Sequence, residues 1–506
     1  MKRLQKAIII ILHIFMLLAC LFIVLFWRKL AGDVPSEIHE TTTSEWETPA
    51  ASGTFQEQNL PEHQTADTKQ EQDIQHTIDA QQATNTQRAA AVHQASTAAQ
   101  KESDAPAPPP ILMLASDLHY MSQTTHDDGI AFQYLLETDD GKISQYSDEI
   151  VDALLEEALQ VKPSALLLAG DITLNGELEN HLKLAEKLQK LQDAGVPVLV
   201  IPGNHDINNP GAATYFGTER KEAAYLKSGE EFYEIYQNFG YNQALSRDEN
   251  SLSYLYELDE THWLMLLDSC QYEDYNHVNG RLKSETLAWM KTQLNLAAEQ
   301  NIQIIVAAHH NLLSESRLYT TDCTLENHLE VIDLLEHYEV PLYISGHLHA
   351  QRIKKHLKEP GSALNNYSIS EIVLSPYSLP PCQYGMLKWD EFDGMIFETK
   401  AISLDDNCSD YIEFSKSTIR SQVKKTISGI PDDLKEQMAN LYAEVYYDYC
   451  AGNQLNWDEI RDTRAYHLWE RVAPDSVYVR EMQQMAKDAK EAQHEWVWAK
   501  STHSAN

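Results

Sequence analysis

The sequence predicts a layered α/β domain with an apolar segment before it and further helices after it. Between residue 111 and about residue 400, short apolar runs alternate with amphipathic stretches of helical period. This alternation is typical of buried strands connected by helices that pack on a sheet. With 506 residues, of which 43% are hydrophobic, the chain is long enough to bury a sizeable core. We therefore expect a folded α/β domain with additional segments at both ends.

The first 30 residues predict a membrane anchor. The basic start MKRLQK is followed by residues 7–27, which are apolar except for His13 and long enough for a transmembrane helix. A cleaved signal peptide would have a shorter apolar region. The run LLAC resembles a lipoprotein cleavage site at Cys20, so cleavage or lipidation stays the alternative. The positive amino end predicts a single-pass topology, with the bulk of the chain outside the cytoplasm.

Residues 31–110 predict a disordered linker. They are rich in Thr, Gln, Ala and Glu, contain only Trp46 and Phe55 as aromatic residues, and end in APAPPP. Such a composition buries too little apolar surface to offset the entropy lost on ordering. The predicted linker therefore separates the anchor from the α/β domain.

The charge balance argues against one class of partner. Asp and Glu number 76 against 39 Lys and Arg, which gives a formal charge of -37. A chain with this excess of negative charge repels a phosphate backbone. We therefore expect no nucleic-acid polymer as a partner.

Apolar runs and helical periods define the elements of the α/β domain. The predicted strands are residues 111–115, 165–169, 196–201, 263–268, 302–308 and 341–345. The predicted helices are residues 148–160, 181–195, 284–300 and 325–338. In the second of these helices the leucines share one face, and Gly195 provides the C-terminal stop.

Polar side chains follow five of the six predicted strands. They are Asp117 and His119, Asp171, Asn204 and His205, His309, and His347 and His349, in the order of the strands. Because ligands of open α/β sheets bind at the carboxyl ends of the strands, we expect these groups to converge. Carboxylate and imidazole without thiolate suit divalent first-row metals, and a single carboxylate can bridge two ions. The sequence therefore predicts a two-metal centre with Asp171 as the bridge and with Gly170, Gly203 and Gly346 allowing sharp turns beside it.

Each of these motifs alone has an ordinary explanation. An Asp-x-His triplet or a Gly-Asp pair arises by chance in a chain of this length, and Gly-Asn-His is compatible with a simple turn. His309, next to His310, is compatible with a core position. The five motifs in this order, each behind an apolar strand, are much harder to obtain by accident, and the metal centre is the preferred interpretation.

The motifs DLH, GD, GNHD, a single His and GHLH resemble those of the calcineurin-like metallophosphoesterases over about residues 111–400. The resemblance implies a sandwich of two mixed sheets flanked by helices. It implies one metal bound by Asp117, His119, Asp171 and His349, and a second bound by Asp171, Asn204, His309 and His347. Within the family the chain is most similar to the bacterial cyclic-nucleotide phosphodiesterase branch, in which a helical region follows the catalytic domain. We therefore divide the chain into an anchor (1–30), a linker (31–110), a catalytic domain (111–400) and a C-terminal helical domain (401–506).

The resemblance implies a phosphoesterase that uses a hydroxide held between two divalent ions. The ligand types leave the metal open among Mn, Fe, Zn and Co. Asn204 is also expected to donate to the phosphate, His205 to protonate the leaving alkoxide, and Asp206 to orient the His205 ring. A small phosphodiester, with cyclic nucleotides as candidates, is the first expectation for the substrate. Phosphomonoesters and nucleotide-sugar or lipid phosphodiesters are the alternatives, and a non-catalytic binding module has no need for His205.

Other segments are less informative. Thr173 and Asn175 lie either at the substrate edge or in a plain turn, and residues 215–241 predict helix packing, with a lid as the lesser alternative. The stretches 417–430, 432–452 and 476–500 have helical period and predict a bundle, with Met482 and Met485 in its core. Six cysteines at 20, 270, 323, 382, 408 and 450 lack metal-type spacing and do not define disulfide pairs. The oligomeric state stays open.

Overall fold

Two large mixed sheets dominate the part of the chain that the structure describes. The structure is a computed structural model and describes residues 108–499, except for 315, 358–366, 391, 393, 405–407 and 409. The predicted anchor and nearly all of the predicted linker lie outside the described residues, and the proposed domain boundaries stay a prediction. Within the described part, no helix is both long and apolar enough to cross a bilayer.

Strands and helices follow one another along most of the described chain. The strands are β1 (Ile111–Ala115), β2 (Ala165–Ala169), β3 (Val198–Ile201), β4 (Ala213–Phe216), β5 (Glu219–Glu222), β6 (Ser246–Arg247), β7 (Tyr254–Glu257), β8 (His262–Leu267), β9 (Gln303–Ala308), β10 (Leu342–Ser345), β11 (Arg352–Leu357), β12 (Tyr367–Val373), β13 (Gln383–Trp389), β14 (Met395–Ala401) and β15 (Glu495–Trp498). The α-helices are α1 (Ile130–Thr138), α2 (Ser147–Val161), α3 (Leu178–Asp193), α4 (Gly229–Tyr236), α5 (Ser284–Gln300), α6 (His328–His337), α7 (Tyr411–Thr426), α8 (Asp432–Ala451), α9 (Trp457–Arg461), α10 (Arg464–Val472) and α11 (Val477–Asp488).

Each large sheet combines parallel and antiparallel strands. The first sheet has the order β15-β14-β13-β1-β2-β3, with β1, β2 and β3 parallel. The second has the order β11-β12-β10-β9-β8-β7-β6, with β12, β10, β9 and β8 parallel. Strands β4 and β5 form a separate antiparallel pair. The mixed α/β fold predicted from the sequence is confirmed.

The second sheet buries side chains on both of its faces, as its strand β9 shows. In β9, Ile305 and Ala307 belong to the same core cluster as Leu114 of the first sheet, so this face packs against that sheet. Ile304 and Val306 point the other way, into a cluster that includes side chains of α5 and α6. Because side chains of a strand alternate between faces, this pattern is that of a sandwich with helices outside.

The predicted elements of the α/β domain agree closely with the observed ones. Strands β1 and β2 and helix α5 have the predicted bounds. Strand β3 begins two residues later than predicted, at Val198. The reason is Pro197, which has no N–H for the ladder and contributes only its carbonyl, as acceptor from the Leu166 N–H at 2.8 Å.

Helices α7 to α11 pack around a core of their own. Met438, Trp469, Met482 and Met485 are fully buried there. The predicted core role of the two methionines of α11 is therefore confirmed.

The predicted helix over 476–500 is wrong in its last part. Residues 495–498 form β15, which pairs with β14 at the edge of the first sheet. Trp496 is buried and its indole N–H donates to Ser370 Oγ at 3.0 Å, whereas Val497 is 65% exposed. Alternate burial of an aromatic and a β-branched residue suits a strand and overrides the helical period that precedes it.

Residues 215–241 also differ from the prediction. Helix packing is confirmed only for α4, whose Phe232 and Tyr236 are buried in the core between the sheets. The first part of the segment forms the end of β4 and β5, and the β5 residues are exposed. No disulfide joins cysteines 270, 323, 382, 408 and 450 within the described part of the chain.

Candidate metal centre

Five of the predicted metal ligands have a left-handed backbone. Asp117, His119, Asp171, His347 and His349 have φ values of +54°, +42°, +48°, +66° and +54°. Non-glycine residues avoid this region because Cβ approaches the carbonyl oxygen, which costs roughly 1–2 kcal/mol per residue. Such residues persist where the surrounding structure over-determines them, and they cluster at functional sites.

The loops that carry these residues meet at the carboxyl ends of the parallel strands. The backbone N–H groups of Asp117 and His119 donate to the carbonyls of Gly170 and Asp171, which joins the loops after β1 and β2. The backbone N–H of His347 donates to Asp117 Oδ2 at 3.1 Å and so connects the second sheet with the first. The site therefore lies between the edges of the two sheets.

The first candidate ligand group contains Asp117, His119, Asp171 and His349, whose ligand atoms lie within 4.8 Å of one another. The Nε2 atoms of His119 and His349 are 3.2 Å apart. His349 Nε2 is 3.3 Å from Asp117 Oδ1, and His119 Nε2 is 4.0 Å from Asp171 Oδ2. The structure thus brings together all four residues assigned to the first metal.

The second group contains Asp171, His309 and His347. His309 Nε2 is 3.2 Å from Asp171 Oδ2, while its Nδ1–H donates to the Ala169 carbonyl at 2.9 Å. His347 Nε2 is 3.0 Å from the Asp322 carbonyl, which leaves Nδ1 available to bind a metal ion. Holding one ring nitrogen by a backbone carbonyl selects the tautomer in which the other nitrogen can bind a metal.

Asn204, the remaining predicted ligand, has the property expected beside a cation. It is buried, and its Oδ1 has no hydrogen-bond partner. A buried amide oxygen without a partner is costly unless a cation or donor occupies the space in front of it. The donor set of carboxylates, imidazoles and one amide oxygen therefore fits a pair of divalent ions.

The electrostatics of the cluster also suit cations. Burial would raise the pKa of Asp171, but His309, His205 and His119 outweigh it and hold this pKa well below its usual value. Burial, together with neighbouring charges, lowers the pKa of His119 far below its usual value and that of His347 to about 4. Ionised carboxylate and neutral imidazole are the protonation states that metal binding requires, and these shifts favour them at Asp171, His119 and His347. His309 differs: burial would lower its pKa, but Asp171 outweighs burial and raises this pKa to about 9, so a bound ion would have to displace the His309 proton.

Three glycines allow the close packing. A Cβ at Gly203 would overlap the Asp171 carboxylate, and one at Gly346 would overlap Ser116 Oγ. At Gly170, with φ at +88°, a Cβ would come within 2.5 Å of His309 Nδ1. The predicted need for glycine at these positions is confirmed.

His205 lies beside the two groups and is oriented by a neighbouring loop. Its backbone N–H donates to Asp171 Oδ1 at 2.7 Å, and its ring meets the His119 ring edge-on at 4.8 Å. Nδ1 is 2.7 Å from the Leu174 carbonyl and 3.0 Å from Asn175 Oδ1, both acceptors. This holds the proton on Nδ1 and leaves Nε2 free of these contacts.

The prediction that Asp206 orients the His205 ring is wrong. Asp206 is fully buried and accepts hydrogen bonds from the backbone N–H groups of Gly203, Ile172 and Thr173 and from the Thr173 hydroxyl. Burial and the nearby Asp171 charge raise its pKa to about 6. Its carboxylate therefore joins the loops after β2 and β3, because a buried acceptor takes the nearest unpaired N–H donors.

The structure also distinguishes between residues whose roles the sequence did not decide. His310 is not in either group, since Nδ1 contacts Ser269 Oγ at 2.8 Å and Nε2 contacts the Val278 carbonyl at 3.0 Å. Thr173 is fully buried and bonded to Asp206, so it does not line a substrate edge. Asn175, in contrast, contacts His205.

Sequence reasoning missed one residue that holds a ligand loop. Asn276 donates from Nδ2 to the carbonyls of Asn204 and Ile207, at 2.6 and 2.8 Å. The neighbouring His277, a more conspicuous residue type in the sequence, has its ring 4.0 Å from that of Tyr275. An asparagine in a loop has no periodic signal, so Asn276 could not have been found from the sequence.

Two mixed sheets with carboxylates and imidazoles clustered at their strand ends define an α/β protein with a candidate metal centre. Residues 112–351 match the family model of the calcineurin-like phosphoesterases. The chain therefore contains a domain of this family of phosphate ester hydrolases, and the resemblance inferred from the motifs is confirmed.

This chain and its relatives match over only part of their lengths. A probable cyclic nucleotide phosphodiesterase from Moraxella catarrhalis is 24% identical over 198 residues, which are 39% of this chain and 62% of that protein. A probable glycerophosphodiester phosphodiesterase from Arcobacter nitrofigilis is 30% identical over 193 residues, 38% of this chain and 58% of that protein. A dimetal phosphatase structure from Danio rerio is 14% identical, covers 58% of this chain and 97% of that one, and has a TM-score of 0.43.

Proposed function

We propose that this protein is a phosphodiesterase that binds two divalent metal ions. The observation that carries the proposal is the position of Asp171, which belongs to both candidate ligand groups. Asp117, His119 and His349 would complete one ion site, and Asn204, His309 and His347 the other. Two ions held by one shared carboxylate are the arrangement that suits in-line displacement at phosphorus.

The bound ions would supply Lewis-acid activation of the attacking water and neutralise charge on the phosphate. The chain's own residues provide the charge and the ring orientations that this reaction needs. Asp171 holds its charge at neutral pH because the surrounding imidazoles lower its pKa. The carbonyls of Ala169 and Asp322 fix the rings of His309 and His347. Asn204, with an unpaired buried oxygen, would contribute that oxygen to an ion and its amide N–H to a phosphate oxygen.

His205 is the proposed proton donor to the leaving group. Its Nδ1 faces two acceptors, so Nδ1–H stays in place and Nε2 carries the proton that is transferred. The ring is half-buried and lies next to His119, at the edge of the first ligand group. The transfer moves one proton from Nε2 to the departing alkoxide oxygen and leaves a neutral imidazole.

Replacing His205 with alanine is expected to slow hydrolysis of 3′,5′-cyclic AMP by about 10²–10⁴-fold, the usual contribution of general acid catalysis. Bis(p-nitrophenyl) phosphate should be affected much less, because p-nitrophenolate leaves without protonation. Turnover of both substrates and the bound metal content are measured together. His277→Ala is the matched control, and parallel loss of metal and of both activities would assign His205 to metal binding instead.

The preference for diesters is tested on the purified full-length protein loaded with Mn²⁺. The proposal draws support from the names of the relatives, which are probable phosphodiesterases of cyclic nucleotides and of glycerophosphodiesters. We expect faster turnover of bis(p-nitrophenyl) phosphate than of p-nitrophenyl phosphate, with both lost after chelation. Faster turnover of the monoester would make the protein a phosphomonoesterase. Two bound ions without turnover of either substrate would indicate a binding module.

We also propose that the chain is anchored in a membrane with its catalytic domain outside the cytoplasm. The support is the apolar run 7–27 behind a basic start. Cell fractionation should find the protein with membranes, and protease added to intact protoplasts should digest it. Protection from the protease would place the domain inside the cell, and loss of membrane association in a Cys20→Ala variant would identify a lipid anchor.

A further inference from the structure

The last residue of α11, Asp488, contacts residues 316–318 and also Arg352, which follows the GHLH motif by three residues. We propose that Asp488 is a positioning residue for the candidate metal ligand His347, through residues 316–323. This inference rests on the proposed role of His347 in metal binding. The C-terminal helices would then contribute to the metal centre without supplying a ligand.

The Asp488 carboxylate organises the start of the segment 316–323. Its Oδ2 accepts from the Arg317 backbone N–H at 2.7 Å and from Leu318 N–H and Ser316 Oγ at 3.4 and 3.5 Å. The Asp488 side chain is only 2% exposed, whereas that of Arg317 is 62% exposed. The Arg317 ion pair is therefore weak, and the backbone N–H contacts of the buried carboxylate are the important ones.

The other end of the same segment holds His347. Ser316 Oγ accepts from the Tyr319 N–H at 3.0 Å and closes a turn, after which Asp322 has a left-handed φ of +63°. The Asp322 carbonyl lies 3.0 Å from His347 Nε2, and the Cys323 carbonyl accepts from the Asn311 N–H. One carbonyl oxygen thus decides which nitrogen of His347 faces Asp171, and its position depends on a segment anchored at Asp488.

The chain that follows the motif is attached to the same helices. The Arg352 guanidinium donates to the Asp488 carbonyl, and the Gln351 N–H donates to the Cys450 carbonyl at 3.0 Å, at the end of α8. Tyr449, also in α8, donates from its hydroxyl to Asp488 Oδ2 at 3.4 Å. The segment 316–323 and the residues just after the GHLH motif are therefore both held by the ends of α8 and α11.

The hydrophobic core of the C-terminal helices makes this support rigid. Leu318 and Tyr319 pack against the cluster that contains Met485 and Ala489. A metal ligand must be oriented to a fraction of an ångström, and hydrogen-bonded partners of ligands commonly change metal affinity 10- to 100-fold when removed. Asp488 does not touch His347 itself but acts through the backbone of residues 316–323. A change in metal affinity near 100-fold therefore requires the whole of that segment to shift.

The test is a titration of the metal-free, full-length protein with Mn²⁺ alone. Asp488→Ala is expected to weaken one of the two Mn²⁺ sites about 10- to 100-fold and to leave the other unchanged. Asp488→Asn, which keeps one acceptor oxygen for the Arg317 N–H, should weaken it less. In a His347→Ala background, Asp488→Ala should cause no additional loss, because the residue acts through His347.

Glu481→Ala is the matched control. Glu481 lies in the same helix and accepts from the Tyr442 hydroxyl at 2.6 Å, within the C-terminal helices. It should lower thermal stability without changing either Mn²⁺ affinity. If wild type binds two ions and the Asp488 variants bind them as the Glu481 variant does, the positioning role is overturned. If Asp488→Ala does not fold, Asp488→Asn decides in the same way. If the wild-type protein binds fewer than two Mn²⁺ ions, the proposed two-metal function is refuted, and the positioning role that rests on it is refuted as well.

Discussion

Replacing Asp171 with asparagine is expected to abolish binding of both metal ions and to lower phosphodiesterase turnover by about 10³-fold or more, roughly 4 kcal/mol of transition-state stabilisation. Asp171 is the residue shared by the two ligand groups, it is buried, and its Oδ1 also accepts from the His205 N–H. The amide keeps the size of the side chain but removes the charge and one acceptor. Mn²⁺ stoichiometry and turnover of bis(p-nitrophenyl) phosphate measure the effect.

A second buried carboxylate provides the control for this variant. Asp268 also follows a strand, β8, and accepts from the backbone N–H groups of Leu252 and Cys270 and from the Tyr272 hydroxyl. It belongs to neither ligand group. Asp268→Asn should therefore retain two ions, whatever its effect on stability. Retention of two ions by Asp171→Asn would refute the shared role of Asp171.

Replacing Glu371 with glutamine is expected to lower the free energy of unfolding by about 3–5 kcal/mol, because it leaves a buried lysine without its counter-charge. Glu371 and Lys354 are buried with N and O atoms 3.5 Å apart. The carboxylate accepts from the N–H groups of Leu312 and Leu313, both at 2.8 Å, and from Ser345 Oγ at 2.7 Å. The pair therefore supports the backbone just behind His309 and just before the GHLH motif.

An exposed Lys–Glu pair serves to separate the effect of burial on stability from the effect of losing the charge. Lys388 and Glu398 lie 2.6 Å apart on neighbouring strands, with side chains 39% and 37% exposed. Glu398→Gln should cost less than about 1 kcal/mol, since water compensates exposed charges. Urea unfolding of both variants, compared at equal slope, measures the difference. Equal losses in the two variants would show that burial does not amplify the Glu371 pair.

The agreement between sequence and structure is best where the signal is local. Strands β1 and β2 are continuous apolar runs, and α5 has a regular helical period, so their bounds could be predicted residue by residue. The metal-binding motifs could also be found from the sequence, because each directly follows a strand that is a continuous apolar run. Parallel strands share a carboxyl edge, so the order of strands and motifs was enough to predict convergence.

The agreement is poorest where a residue's environment comes from distant parts of the chain. The sequence pairs Asp206 with its neighbour His205, but the Asp206 carboxylate bonds to the loop after β2. Likewise, the C-terminal tail has a helical period, yet residues 495–498 join a sheet because pairing with β14 buries the Trp496 side chain. In both cases long-range packing and hydrogen bonding outweigh the local pattern.

For this protein, the sequence by itself determined the α/β class, the strands and the ligand types at their ends, because strand period and metal preference are properties of neighbouring residues. Only the tertiary structure decided which groups support those ligands. Asn276 holds the Asn204 loop, Asp322 holds the His347 ring, and Asp488 holds the segment that contains Asp322, all through hydrogen bonds between segments far apart in the chain. Those hydrogen bonds depend on how the sheets and the C-terminal helices pack, which no short stretch of sequence specifies.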